Sequence, residues 1–146
     1  MNPYRTLAIM LAINAVVMFV LTYALIAEPA HLLPNINRIY MAVIMVLAML
    51  IPMMLLMWKM YPDKKRNFAI LGVAVIGVIV IFGLMRTQTP VGNAQFLRSM
   101  IPHHSSAIVM CEEASISDPE ILTLCEEIVA AQRREIAEMQ TMLERY

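Results

Sequence analysis

The sequence predicts an all-α membrane protein: three transmembrane helices followed by an extracytoplasmic antiparallel helical hairpin. Three observations predict it. The chain has 146 residues, of which 60 % are hydrophobic, and a mean hydropathy of +0.69, more apolar than a soluble fold of this size buries. It contains three apolar runs of membrane-spanning length. Its C-terminal part instead shows the three-and-four spacing of amphipathic helices, bounded by cap and turn signals.

The runs are Thr6 to Ile26, Ile39 to Trp58 and Phe68 to Met85. Each is about 18 to 21 residues, enough to cross a hydrocarbon core about 30 Å thick. The first is longer than the apolar core of a signal peptide and lacks a clear small-x-small cleavage site, so it reads as a retained helix. Tyr40, Trp58 and Tyr61 sit at span ends, where interfacial aromatics belong. Residues 1–85 therefore form the anchor, with lipid as its surroundings.

Lys59, Lys64, Lys65 and Arg66 fall between the second and third spans, against Arg38 alone between the first and second. The positive-inside rule then places the N-terminus in the cytoplasm and the C-terminal domain in the periplasm of a bacterial inner membrane. From Arg86 onward nine acidic side chains outnumber five arginines, a net charge of −4. That balance argues against nucleic acid and is compatible with a cation.

Residues 86–92 (Arg-Thr-Gln-Thr-Pro-Val-Gly) read as a linker, and 93–146 as the outer hairpin. Its first helix is expected to be capped by Asn93 and to run to about Ala114, with Pro102 kinking it and freeing the Arg98 carbonyl. The second starts at Ser117-Asp118-Pro119-Glu120, which offers a Ser…Glu capping box. Its seam reads Ile121, Cys125, Ile128, Gln132, Glu135, Met139, Met142. Two helices cannot enclose a core. The stripe through Phe96, Ile108, Ile128, Ile136 and Leu143 predicts a homo-oligomer, a second copy completing a four-helix bundle.

The chemistry-bearing residues gather on the first of these helices. Met100, His103, His104 and Met110 lie within a few turns, and imidazole with thioether suits Cu(I) or Ag(I) rather than hard cations. Packing methionines and polar-face histidines would produce the same spacing. If positions summing to about 235 lie at one height, Gln132 falls near His103 and Glu135 near Met100, either to orient a ring or to set helix register. Cys111 and Cys125, equidistant from Asp118, are candidates for a disulfide, with buried thiols or further Cu(I) ligands as alternatives.

Phe96…Met100-Ile101-Pro102-His103-His104…Ala107-Ile108…Met110, followed by Glu127-Ile128…Gln132…Glu135-Ile136…Met139, resembles the domain-of-unknown-function 305 family over about Asn93 to Leu143. The resemblance implies a ferritin-like helical module that binds copper or silver in metal tolerance. Carried over by residue, the implied ligands are Met100, His103, His104, Met110 and Met139. Ser105 stands where the family often has glutamine, and Cys111 where alanine is common. Many relatives carry two hairpins where this chain has one.

Met41, Met45, Met49, Met53 and Met57 recur at every fourth residue of the second span. A thioether ladder of this kind would suit a Cu(I) permease or channel, and its MxxxM spacing is similar to that of eukaryotic copper transporters; methionine is also an ordinary packing residue. No Glu-x-x-His motif of a di-iron bundle occurs in the hairpin, so enzymatic chemistry is not expected. The expected function is membrane-anchored copper or silver sequestration or delivery. The alternatives are the permease and a metal-free assembly module.

Overall fold

The computed structural model describes residues 2–146. Among them are five α-helices, two single 3₁₀ turns and no strand: α1 (Pro3–Leu21), α2 (Ile36–Leu56), α3 (Lys64–Thr87), α4 (Asn93–Glu113) and α5 (Pro119–Leu143). The first three are long and apolar enough to cross a membrane. The chain divides into two compact units. One runs to Thr22 and resumes over Asn37–Pro90; the other joins Tyr23–Ile36 to Val91–Tyr146.

Local chemistry sets the helix ends. Asn2 Oδ1 accepts the Tyr4 N–H at 3.0 Å, and Pro3 occupies the first turn of α1, where its missing N–H costs nothing. Asp63 Oδ1 caps α3 by accepting the Arg66 N–H at 3.1 Å. That helix ends at Gln88, whose φ of 53° is the left-handed stop of a helix C-terminus. Gly92 precedes α4, so Asn93 is the first helical residue rather than the cap; its side-chain amide donates to Tyr146 Oη at 2.9 Å. At α5 the cap is Asp118, not Ser117: Asp118 Oδ1 accepts from the N–H groups of Glu120 and Ile121 at 2.8 and 3.3 Å. A carboxylate is the stronger acceptor and favours the helix dipole, which moves the start one residue on.

In the first unit Leu7, Leu50, Met54, Tyr61 and Ala74 form the buried core. Asn67 is fully buried there, yet satisfied. Its Oδ1 accepts from Tyr4 Oη at 2.8 Å and its Nδ2 donates to the Tyr61 carbonyl at 3.0 Å, so the polar side chain ties the start of α1 to the α2–α3 connection.

In the second unit α4 and α5 run antiparallel, as pairings from base to tip show: Asn93 with Tyr146, His104 with Glu135, Cys111 with Cys125. Ile101, Ile108 and Ile136 are the core, covered by Val129, Met139 and Leu143 and by Ala27 and Leu33 from the α1–α2 connection. This corrects the domain division read from sequence, in which 1–85 was wholly anchor. It also shortens the first apolar run: α1 stops at Leu21, and Tyr23 is buried in the second unit. Hydropathy records apolarity, not whether lipid or protein covers it. The seam shifts too. Ile121 and Met142 are 48 % and 41 % exposed, while Ile108 and Ile136 are buried within one chain and unavailable to a second.

The connection is fastened by polar contacts to α4. Ser105, fully buried, accepts the Ala27 N–H at 2.7 Å and pairs with His31 Nδ1 at 3.0 Å. Gln95 Oε1 accepts the Ile36 N–H at 3.0 Å. Pro102 is buried inside α4, which continues through it. Having no N–H, it leaves the Arg98 carbonyl without a helical donor, and Asn35 Nδ2 supplies one at 3.1 Å. A glutamine at position 105 would have no room beneath Ala27 and His31, which gives the departure to serine its physical reason.

Candidate metal centre

One turn of α4 carries Met100, His103 and His104. His104 Nδ1 lies 3.0 Å from the Met100 carbonyl oxygen, an acceptor only, so Nδ1 carries the proton and donates. That bond fixes the ring and points Nε2 toward α5, the arrangement by which a backbone carbonyl usually orients a ligating imidazole. Nε2 meets Glu135 Oε2 at 2.8 Å. With acceptors at both nitrogens, the pair needs a proton on Nε2 or on the carboxyl group. The two histidine rings lie 5.8 Å apart, and His103 is exposed.

These contacts revise the expected pairing. Glu135 meets His104, one turn from Met100; His104–Glu135 and Asn93–Tyr146 each sum to 239, whereas Cys111–Cys125 sums to 236, close to the expected 235. Met139 packs on the Ile101–Ile108–Ile136 core. Gln132 is half-buried further toward the tip. Met110 is 63 % exposed and seven residues beyond His103, about 10 Å along a continuous helix at 1.5 Å per residue. Among the described residues no three His, Cys, Asp or Glu side chains form a metal-holding group. Within one chain, Met100, His103 and His104 thus share one turn, with Glu135 at the second ring nitrogen of His104.

Cys111 and Cys125 are joined as a disulfide, their Cα atoms 5.3 Å apart, and among the described residues no cysteine is free. Next to it Arg133 donates to Glu112 at 2.8 Å and lies 3.8 Å from Glu28. The hydrogen bond and charge of Glu112, with a smaller contribution from Glu28, raise the Arg133 guanidinium above its ordinary value, so it stays cationic.

The third histidine, His31, was not singled out by the sequence reading. It is 5 % exposed, held at Nδ1 by Ser105, with Nε2 4.0 Å from Glu28. Its signal in the sequence is slight: a lone imidazole between Pro29 and Pro34. In the first unit the methionine stripe does not occupy the fully buried side of α2, which belongs to Tyr40, Ala42, Val46, Leu50 and Met54. Met45, Met49 and Met53 are half-buried, Met41 and Met57 exposed, and Met49 Sδ accepts from Asn14 Nδ2 at 3.4 Å.

Residues 83–145 match the family described as domain of unknown function (DUF305). An uncharacterised protein of Acanthamoeba polyphaga mimivirus is 33 % identical over 112 residues, covering 75 % of this chain and 72 % of that protein, a stretch too long to be confined to α4 and α5. No solved structure matches the chain. The α4–α5 pair that holds the histidines is therefore the matched domain, and the chain belongs to the DUF305 family.

Proposed function

We propose that this protein is a membrane-anchored metal-binding protein whose second unit takes Cu(I) or Ag(I), for sequestration or delivery in metal tolerance. The observation that carries the reading is the His104 ring, fixed at Nδ1 by the Met100 carbonyl so that Nε2 is the nitrogen on offer, beside an exposed His103. Met100 adds a thioether from the same turn. To bind, the ion displaces Glu135 from Nε2, because 2.8 Å leaves no space between nitrogen and oxygen for a metal.

Lysine and arginine placement supports a cytoplasmic Lys59–Asn67 loop and a periplasmic C-terminus in a bacterial inner membrane. The disulfide supports the oxidising side. The α1–α2 connection packs with α4 and α5 in one unit, so both belong on one face of a membrane crossed by α1, α2 and α3. A second copy, docked on exposed Phe96 and Met142, would complete a four-helix, ferritin-like arrangement and bring further donors.

The test is Ag(I) binding to the oxidised full chain in detergent, by competition with a chelator of known affinity. Stoichiometric binding that disappears in His103→Ala/His104→Ala supports the site; equal affinity in both refutes it. One observation favours a second reading, the metal-free assembly module: His104 Nε2 already has a partner in Glu135, a contact that also fixes helix register. Refutation of the site leaves that reading in place.

A further inference from the structure

We propose a second, redox-gated soft-metal site at Cys111 and Cys125: reduced, the pair binds a monovalent d¹⁰ ion between two thiolates, and oxidised it binds none. The inference does not depend on the histidine site. It rests on three observations. The two Cα atoms are 5.3 Å apart on α4 and α5. Both cysteines are half-buried and line an open groove of about 500 Å³, with Glu112, Glu126, Val129 and Arg133 along it. The helices are also held together elsewhere, by the Ile101–Ile108–Ile136 core and the Asn93–Tyr146 contact, so breaking the sulfur bridge leaves two thiols facing each other.

The groove supplies the room for binding. Two thiolates holding one ion at about 2.3 Å each stand about 4.6 Å apart when the arrangement is linear. Rotation of each side chain about its Cα–Cβ bond into the groove opens the sulfurs toward that distance while the backbones stay in place. Two thiolates with a monovalent cation leave one net negative charge, in a groove that also holds Glu112, Glu126 and Arg133, the last paired with Glu112. Thiolates select soft ions, and the site has too few oxygen donors for hard ones.

The chemistry balances with a dithiol as reductant. Its thiolate attacks one sulfur of the bridge and the Cys111–Cys125 bond breaks. The dithiol closes to its own disulfide, giving up two electrons, and two protons reside on the cysteines. Binding the ion then releases both protons.

The experiment uses the full chain in detergent carrying His103→Ala/His104→Ala, which removes the other site. One portion is left oxidised; another is reduced with a dithiol, desalted without air, and both are titrated with Ag(I). The expected result is one ion per chain and ultraviolet thiolate-to-silver absorption in the reduced sample alone, both lost on adding Cys125→Ser. Equal Ag(I) uptake by oxidised and reduced chains overturns the site. So does uptake that survives Cys111→Ser/Cys125→Ser. Loss of helical circular dichroism on reduction also overturns it, since α4 and α5 must stay paired. Failure of the histidine reading leaves these outcomes untouched, because that site is absent throughout.

Discussion

Glu135 Oε2 sits 2.8 Å from His104 Nε2, where an ion bound to that nitrogen would have to stand. The carboxyl group and the metal are therefore competitors for one ring nitrogen. The Glu135 side chain is 43 % exposed, so the contact is worth about 1 kcal/mol in water. Glu135→Ala is expected to lower the stability of the second unit by about that amount, and to tighten Ag(I) binding about fivefold because the ion no longer breaks the pair. Thermal unfolding and chelator competition on the same sample check both signs. Weaker binding in the variant would make Glu135 a ligand instead.

Ser105 is the fully buried anchor of the α1–α2 connection, holding the Ala27 N–H and His31 at once. Ser105→Ala leaves the half-buried Ala27 N–H and the buried His31 ring without this partner and is expected to cost about 1–3 kcal/mol. Proteolysis should then cut between Tyr23 and Ile36 faster than in the wild type. Ser105→Gln should cut at least as fast, since its longer side chain must push the connection away.

Asn35 and Pro102 act on the same carbonyl, that of Arg98. Asn35 supplies the donor that the proline lacks. Asn35→Ala alone is expected to destabilise by about 1–3 kcal/mol. In a Pro102→Ala background position 102 regains an N–H for the Arg98 carbonyl, so the cost of Asn35→Ala should fall. A double-mutant cycle from denaturant unfolding measures the difference, and two independent, additive effects would disprove the link.

Much of this arrangement was open to reading from sequence. Run length places the three apolar helices, because a span must be long and uniformly apolar, and the freed Arg98 carbonyl follows from Pro102 alone. What the sequence hid was long-range. Tyr23 to Ala27 continue the first apolar run, and nothing local distinguishes cover by α4 from cover by lipid. Equal counting from Asp118 agrees with the Cys111–Cys125 pair, but which side chain Glu135 meets depends on how two helices mesh, and that partner is His104 rather than Met100. Ser105 looked like a departure from a motif; only the packed connection above it explains a small hydroxyl there. His31 and Asn35 lie in a short loop, where polar residues ordinarily face water.

The donor set makes the metal reading testable by ion type. Nitrogen holds Zn²⁺ and Cu⁺ alike, whereas a thioether contributes mainly to the softer ion. Met100→Ala should thus weaken Ag(I) binding about tenfold, roughly 1.4 kcal/mol, and leave Zn²⁺ binding nearly unchanged. Ca²⁺ and Mg²⁺ should not bind at this site in either protein, because imidazole and thioether cannot replace their oxygen shells. Met110→Ala provides the internal control: about 10 Å along α4 from His103, it should leave Ag(I) affinity within a factor of about two. Competition titrations of the three oxidised proteins against each ion decide the matter. Equal loss of Ag(I) and Zn²⁺ affinity in Met100→Ala would mean that the substitution disturbs the His104 ring through the helix rather than removing a sulfur ligand, and the soft-metal assignment would fall.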